Sequence, residues 1–224
     1  MELNADFSRR AAVHSAALDW VPSPMPGVER RMLDRIGGEV ARATTIVRYA
    51  PGSHFSPHIH DGGEEFLVLE GVFSDEHGDY PAGSYIRNPP TSRHTPGSAP
   101  GCVLFVKLWQ FDLSDRTDVR IGTADRAFAP ERPGVAVLPL FQDSRETVRL
   151  EEWAPDAAIR AAPPDGAELL VLSGSFVENA DVFGAGSWLR LPPDAPLDAR
   201  AGPEGCRIWI KTGHLRAPVI RPPG

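Results

Sequence analysis

Cysteine is almost missing from this chain: there are two, Cys102 and Cys206, far apart and in no CxxC pair. That excludes a disulfide scaffold, and a reducing cytoplasmic setting is the expectation. Long apolar runs are also missing, and no stretch nears the roughly 18 residues of a membrane-spanning helix. The opening residues Met1 to Asp6 have neither a basic start nor an apolar core, so no export signal is read there. Basic charge is in deficit, with 23 Lys and Arg against 30 Asp and Glu, a net charge of −7. Neither nucleic acid nor a membrane surface is therefore an expected partner. What the chain has in quantity is 21 glycines and 23 prolines, too many breaks for long helices. Its 42% hydrophobic content is ordinary for a globular protein.

The chain repeats itself. Residues 63–90 match residues 166–193 without a gap, at 13 identities in 28 positions. The identities include Glu65 with Glu168, Gly71 with Gly174, Arg87 with Arg190 and Pro89-Pro90 with Pro192-Pro193. Sliding the comparison by one residue extends it to Ala50-Pro51 with Ala154-Pro155, Gly101-Cys102 with Gly205-Cys206 and Lys107 with Lys211. The sequence is two copies of one domain. Each copy holds short runs rich in β-branched and aromatic residues, such as Thr44 to Tyr49 and Val103 to Leu108, separated by Gly, Pro, Asp and Ser. The expectation is an all-β fold of short strands, a sandwich or a barrel. The boundaries read as 1–112 for the first domain with an N-terminal arm, 113–133 for a connector and 134–224 for the second domain. Ser8 to Leu18 reads either as a short Ala-rich helix or as an extended arm.

Comparing the copies separates scaffold from chemistry. The first contains His58, His60, Glu64 and His94; in the second, Glu64 becomes Ala167 and His94 becomes Leu197. The two other histidines fall at Ala161 or Ala162 and at Pro163 or Pro164. Four polar groups vanish together, which scattered surface residues have no reason to do. His58 and His60 are two apart, so on a strand both rings leave one face. The Asp61-Gly62-Gly63 turn can bring Glu64 beside them, and His94 arrives from a later strand. Three imidazoles and a carboxylate can bind one divalent metal, with Zn, Fe, Ni, Mn and Co all open. Glu64 is the expected ligand because it disappears with the histidines, whereas Glu65 persists as Glu168 and reads as a structural acid meeting Arg87, as Glu168 would meet Arg190.

These spacings, Gly52-x5-His58-x-His60-x3-Glu64-x6-Gly71 and Gly83-x5-Pro89-x4-His94, resemble the two signature motifs of the cupin superfamily. The second departs at Thr91 and Ser98, where the family usually has Gly and Asn. The run from His58 to Gly71, with Asp75 to Pro81, Arg87-Asn88-Pro89-Pro90 and His94-Thr95-Pro96, is similar to the cupin domain of ChrR-type anti-sigma factors. The resemblance implies two tandem jelly-roll barrels, with zinc on His58, His60, Glu64 and His94 of the first and a metal-free second. It also implies a sensing or transcription-regulatory role through a protein partner. Anti-sigma activity itself is not carried over. The zinc-binding His-x3-Cys-x2-Cys domain that grips a sigma factor has no counterpart in the first 45 residues, which hold one histidine and no cysteine. The same group resembles metal-dependent dioxygenases of small diketones or hydroxyaryl ketones, so a small-molecule ligand and an Fe(II) enzyme stand as the alternative. A third reading makes both copies an interaction scaffold, the second buttressing the first or forming a homodimer surface.

The other notable residues carry weaker expectations. Cys102 and Cys206 read as inward-facing hydrophobes, and His14, His54, His77 and His214 as solvent-facing. Asn88, Arg93 and Tyr80 are candidates to line a pocket. Trp20 and Met25 sit in a Pro-rich segment that reads as packing or as a lid.

Overall fold

A computed structural model describes residues 1–163, 165–216 and 222. Pro164, one of the second-copy positions named above, and most of the C-terminal end of the 134–224 segment lie outside the described residues. Strands make up most of the described residues, and the 3-10 turn Ser15–Ala17 is the sole helical element among them. No described helix is long and apolar enough to cross a membrane.

The chain forms two compact units. In the first, the main sheet runs Glu2–Leu3, Val28–Gly37, Ala41–Tyr49, Cys102–Leu108, Glu64–Asp75, Ser84–Asn88 and Val119–Gly122. The short strands His58–His60 and Ser92–His94 pair with each other. Alternation along Glu64–Asp75 sends Phe66 and Val68 inward, where they meet Phe73, Ile86, Cys102, Leu104 and Val106 in the core. The second unit repeats this order: Ala129–Arg132, Val135–Gln142, Thr147–Trp153, Leu197–Thr212, Ala167–Glu178, Ser187–Leu191 and Ala11–His14. Its core gathers Trp153, Leu169, Val171, Phe176, Phe183, Leu189, Cys206 and Ile208. Both are jelly-roll barrels.

The last strand of each sheet comes from outside the segment that the sequence assigned to that domain. Residues 6–18 belong to the second unit, and the first unit runs on to Asp125. Ala11–His14 lies along Ser187–Leu191 with Ala11 opposite Arg190 and His14 opposite Ser187. Val119–Gly122 lies along Ser84–Asn88 with Val119 opposite Arg87 and Gly122 opposite Ser84. Even the hydroxyl that follows is reproduced: Ser15 Oγ donates to the Gly186 carbonyl at 2.6 Å, and Thr123 Oγ1 to that of Gly83 at 2.7 Å. Of the two readings of Ser8 to Leu18, the extended one describes the structure. Alanine's helix propensity is worth only tenths of a kcal/mol per residue, less than pairing along an open sheet edge returns. The segment read as connector likewise contains two strands, Val119–Gly122 and Ala129–Arg132.

Glu65 and Arg87 are directly opposite in their ladder, as are Glu168 and Arg190, and all four are buried. Cys102 and Cys206 face the two cores. Burial pushes their thiols up, to about 11 and about 12, so both are inert hydrophobes at neutral pH.

Candidate metal centre

The site begins with a two-residue alternation. On His58–His60 the middle residue, Ile59, points out and is 60% exposed, which turns both imidazoles to the other side. Antiparallel pairing places His94 opposite His58. The chain then reverses through a turn in which the Gly63 amide donates to the His60 carbonyl at 3.1 Å. Gly63 takes a φ of +75° with its Cα against the Phe111 ring, so a side chain there would be both strained and in collision. The next residue is Glu64, delivered to the same place.

The donor atoms converge. His60 Nε2 is 2.9 Å from His94 Nε2, and Glu64 Oε2 is 3.3 Å from the former and 3.7 Å from the latter. The His58 ring centre is 4.7 Å from that of His60 and 5.0 Å from that of His94. One nitrogen from each ring falls within 4.8 Å of the others. Two donors about 2.1 Å from one ion at a right angle stand about 3 Å apart, so these separations suit a shared cation. The three histidines could hold a divalent metal, with Glu64 within reach of the same point.

The electrostatics agree. Burial lowers the His60 pKa, against the pull of Glu64. Burial would raise the Glu64 carboxyl, but His60, His94 and the Asn88 amide, which donates at 3.1 Å, bring it below the usual range. Burial would lower His94 as well, yet Asp75, Glu64 and Glu76 raise it. An ionised carboxylate beside neutral or protonated imidazoles is the donor set a metal displaces protons from.

Around these four lies a ring of supporting groups. Asp75 Oδ2 faces His94 Nδ1 at 3.6 Å, leaving Nε2 to point at the site. Arg120, from the exchanged strand, donates to the Tyr80 hydroxyl at 3.0 Å and to Asn88 Oδ1 at 3.3 Å. Asn88 and Tyr80 thus join the site as expected, whereas Arg93 is exposed. A carboxylate behind a ligating imidazole fixes its tautomer and its aim. Asp75→Asn is therefore expected to weaken metal binding by about 10- to 100-fold while Glu64 and the other rings stay in place. Competition against a chelator of known affinity measures this; wild-type affinity would show that Asp75 does not orient His94.

The second unit fixes the correspondence that sequence left open. Ala161 stands opposite Leu197 in its ladder, as His58 stands opposite His94, so Ala161 takes the place of His58 and Pro163 that of His60. Ala167 and Leu197 are buried in the apolar core. Among the other residues singled out, Trp20 packs with Arg31 and Arg48, each 4.3 Å from its ring centre, and Met25 is exposed. His14, His54 and His77 are exposed. His214 is the exception: its side chain is 6% exposed and sits 3.2 Å from Glu168.

The profile of the ChrR cupin-like domain matches residues 8–112 and again residues 116–216. This chain belongs to the ChrR cupin-like family. The two matches begin at equivalent points, so each ChrR cupin-like repeat starts with the strand it lends to the other unit's sheet. No curated protein matches the sequence. Among solved structures, one similar to this ChrR cupin-like protein is from Nostoc punctiforme and provisionally named a dioxygenase. It has a TM-score of 0.77 at 11% identity, over 97% of this chain and 88% of that one. Another is the bacterial pirin YhhW from Escherichia coli in complex with nickel(II), with a TM-score of 0.64 at 15% identity, over 92% and 99%. A third, a Cupin 2 conserved barrel domain protein from Leptotrichia buccalis, has a TM-score of 0.61 at 9% identity, over 90% and 95%. At these identities the likeness is one of fold.

Proposed function

We propose that this protein is a cytoplasmic zinc-bearing sensor or transcription-regulatory cupin, with His58, His60, Glu64 and His94 as the ligands of one metal in the first barrel. The observation that carries the reading is the convergence of four donor atoms in one copy, at positions where the other copy has Ala161, Pro163, Ala167 and Leu197. Zinc suits a set of three imidazoles and one carboxylate, which fills a four-coordinate site and leaves the ion without a redox role. When bound, the metal would supply a fixed, non-redox Lewis-acidic centre. Asp75 aims His94, while Asn88 and Arg120 hold the Glu64 carboxylate in place. The signal passes on through a protein partner.

The alternative is an Fe(II) dioxygenase acting on a small diketone or hydroxyaryl ketone. It is favoured by the partial exposure of His58, through which a small molecule can approach the centre. Metal analysis of purified protein, followed by oxygen uptake with a diketone panel after Fe(II) loading, separates the two. The expected result is one zinc per chain and no uptake above the His94→Ala background. Turnover that depends on Fe(II) and on His94 would overturn the sensor reading.

A further inference from the structure

The groups behind the metal centre form two chains that start from one residue. Arg120, on Val119–Gly122, donates from Nη2 to Asn88 Oδ1 at 3.3 Å, and the Asn88 amide donates in turn to Glu64 Oε2 at 3.1 Å. From Nε it donates to the Tyr80 oxygen at 3.0 Å, and the Tyr80 hydroxyl donates to Asp75 Oδ1 at 3.2 Å. The other Asp75 oxygen, Oδ2, lies 3.6 Å from His94 Nδ1. Both of those atoms are buried and have no other hydrogen-bond partner among the described residues. The third guanidinium nitrogen, Nη1, is held by Asp118. One side chain thus stands behind two of the four donors, Glu64 and His94.

A guanidinium can only donate, and that fixes the sense of both chains. With its oxygen turned to Arg120, the Asn88 side chain has its N–H groups left for the Glu64 carboxylate. With its oxygen already accepting from Arg120, Tyr80 sends its own proton to Asp75. Asp75 is then the acceptor for His94 Nδ1–H, and Nε2 is the ring nitrogen left for a metal. An apolar group at position 120 would leave the Asn88 amide free to turn its oxygen towards Glu64.

The second barrel shows that the scaffold has no need of these chains. Its edge strand places Ala12 across from Leu189, where the first barrel has Arg120 across from Ile86. Phe183 pairs with Phe176 as Tyr80 pairs with Phe73, and Leu191 pairs with Ala167 as Asn88 pairs with Glu64. Guanidinium, hydroxyl and amide are all missing where the ligands are missing, and the barrel still closes around a packed core. Glu178, in the place of Asp75, is turned to Arg10 instead.

We propose that Arg120 is a positioning residue for the metal centre, setting the Glu64 carboxylate and the His94 ring together, and that metal occupancy and docking of Val119–Gly122 support one another through it. The inference rests on His58, His60, Glu64 and His94 being the ligands of one metal. The coupling is reciprocal: a strand that helps the ligands hold an ion is itself held more firmly when the ion is bound.

The test uses the full chain, zinc or cobalt(II), and Arg120→Met, which keeps the bulk of the side chain and removes its donors. Zinc affinity, from competition with a chelator, should fall about 10- to 100-fold, while the denaturant midpoint of the metal-free protein stays near that of wild type. At saturation with cobalt(II), the visible bands of Arg120→Met should be displaced from those of wild type. Arg120→Lys keeps the charge without the fork and should restore neither property. The Tyr80→Phe/Asn88→Leu variant copies the second barrel and carries the test should Arg120→Met not fold. It should show the same loss of affinity, and adding Arg120→Met to it should cost little more. In hydrogen exchange, zinc should slow the amides of residues 119–122 in wild type but not in saturated Arg120→Met, and slow those of 58–60 in both. Five results would each overturn the proposal while leaving the ligand set standing: wild-type affinity and cobalt bands in Arg120→Met, a metal-free midpoint that falls with the affinity, full rescue by lysine, additive losses in the triple variant, or equal slowing of 119–122 in both proteins. Failure of the wild-type chain to bind either metal would overturn it together with the ligand set.

Discussion

Glu64→Ala protein is expected to purify without its metal and with its fold intact, while Glu65→Ala keeps the metal and loses much of its stability. The neighbouring carboxylates differ because the strand alternates. Glu64 shares a face with Phe66 and Val68 and ends 3.3 Å from His60 Nε2. Removing it deletes a donor, and a loss of at least about 100-fold in metal affinity is expected, beyond what supporting residues usually cost. Glu65 is 1% exposed, accepts the Tyr85 hydroxyl at 2.9 Å and stands opposite buried Arg87. Removing it takes an acceptor from the buried Tyr85 hydroxyl and one carboxylate from Arg87, which keeps Asp115 at 2.6 Å, at a cost of about 1–3 kcal/mol. Metal content by mass spectrometry and denaturant midpoints of the chelated proteins give the two readouts. Metal retained at wild-type affinity in Glu64→Ala would remove that residue from the ligand set.

A chain beginning at residue 19 is expected to lose stability in its second barrel, whereas one beginning at residue 6 should behave like the full protein. The shorter deletion removes the pairing of Glu2–Leu3 with Val28–Gly37, the Met1–Gly37 bonds beside it and the Asn4 amide bond to the Leu33 carbonyl, all at the edge of the first barrel. The longer one strips the ladder from Ser187–Leu191 and takes away Arg10, which bonds Glu178 at 2.6 Å. It also removes Phe7, 4.0 Å beneath the buried Arg190 guanidinium, and the Asp6 carbonyl that this guanidinium reaches at 3.1 Å. Four ladder pairs and a buried cation together amount to roughly 4 kcal/mol or more. Hydrogen exchange locates the damage: the amides of residues 187–191 should lose protection while those of 84–88 keep theirs. Unchanged protection at 187–191 would show that the lent strand adds little.

The parts of the molecule legible in the sequence are those with a local period. The repeat showed because strand alternation and tight turns preserve Gly, Pro and apolar positions at fixed spacing. The one-residue uncertainty in its offset has a physical origin. The offset changes between Pro51 and Gly63 and again between Pro90 and Gly101, in the segments that join the matched strands, where one copy is a residue longer than the other. The three histidines and Glu64 were visible because their spacing and joint disappearance are both sequence properties. The roles of Asp75 and Arg120 were not: an acid, Glu178, stands in the place of Asp75 in the second copy, so comparing the copies did not mark it, and Arg120 arrives on a strand outside the matched stretch. His214 was missed because its partner, Glu168, is 46 residues away.

The lent strands also govern the order in which the protein can be built. The first barrel lacks its edge until Val119–Gly122 has left the ribosome, so it closes only after the second repeat has begun to emerge. The second barrel waits on a segment made at the very start, because Ala11 has no partner until Arg190 is synthesised. Throughout that interval residues 11–14 remain an unsatisfied strand able to pair with any exposed edge. Translation of a long stretch separates that strand from its acceptor, which makes the pause between them the moment when two nascent chains would trade segments.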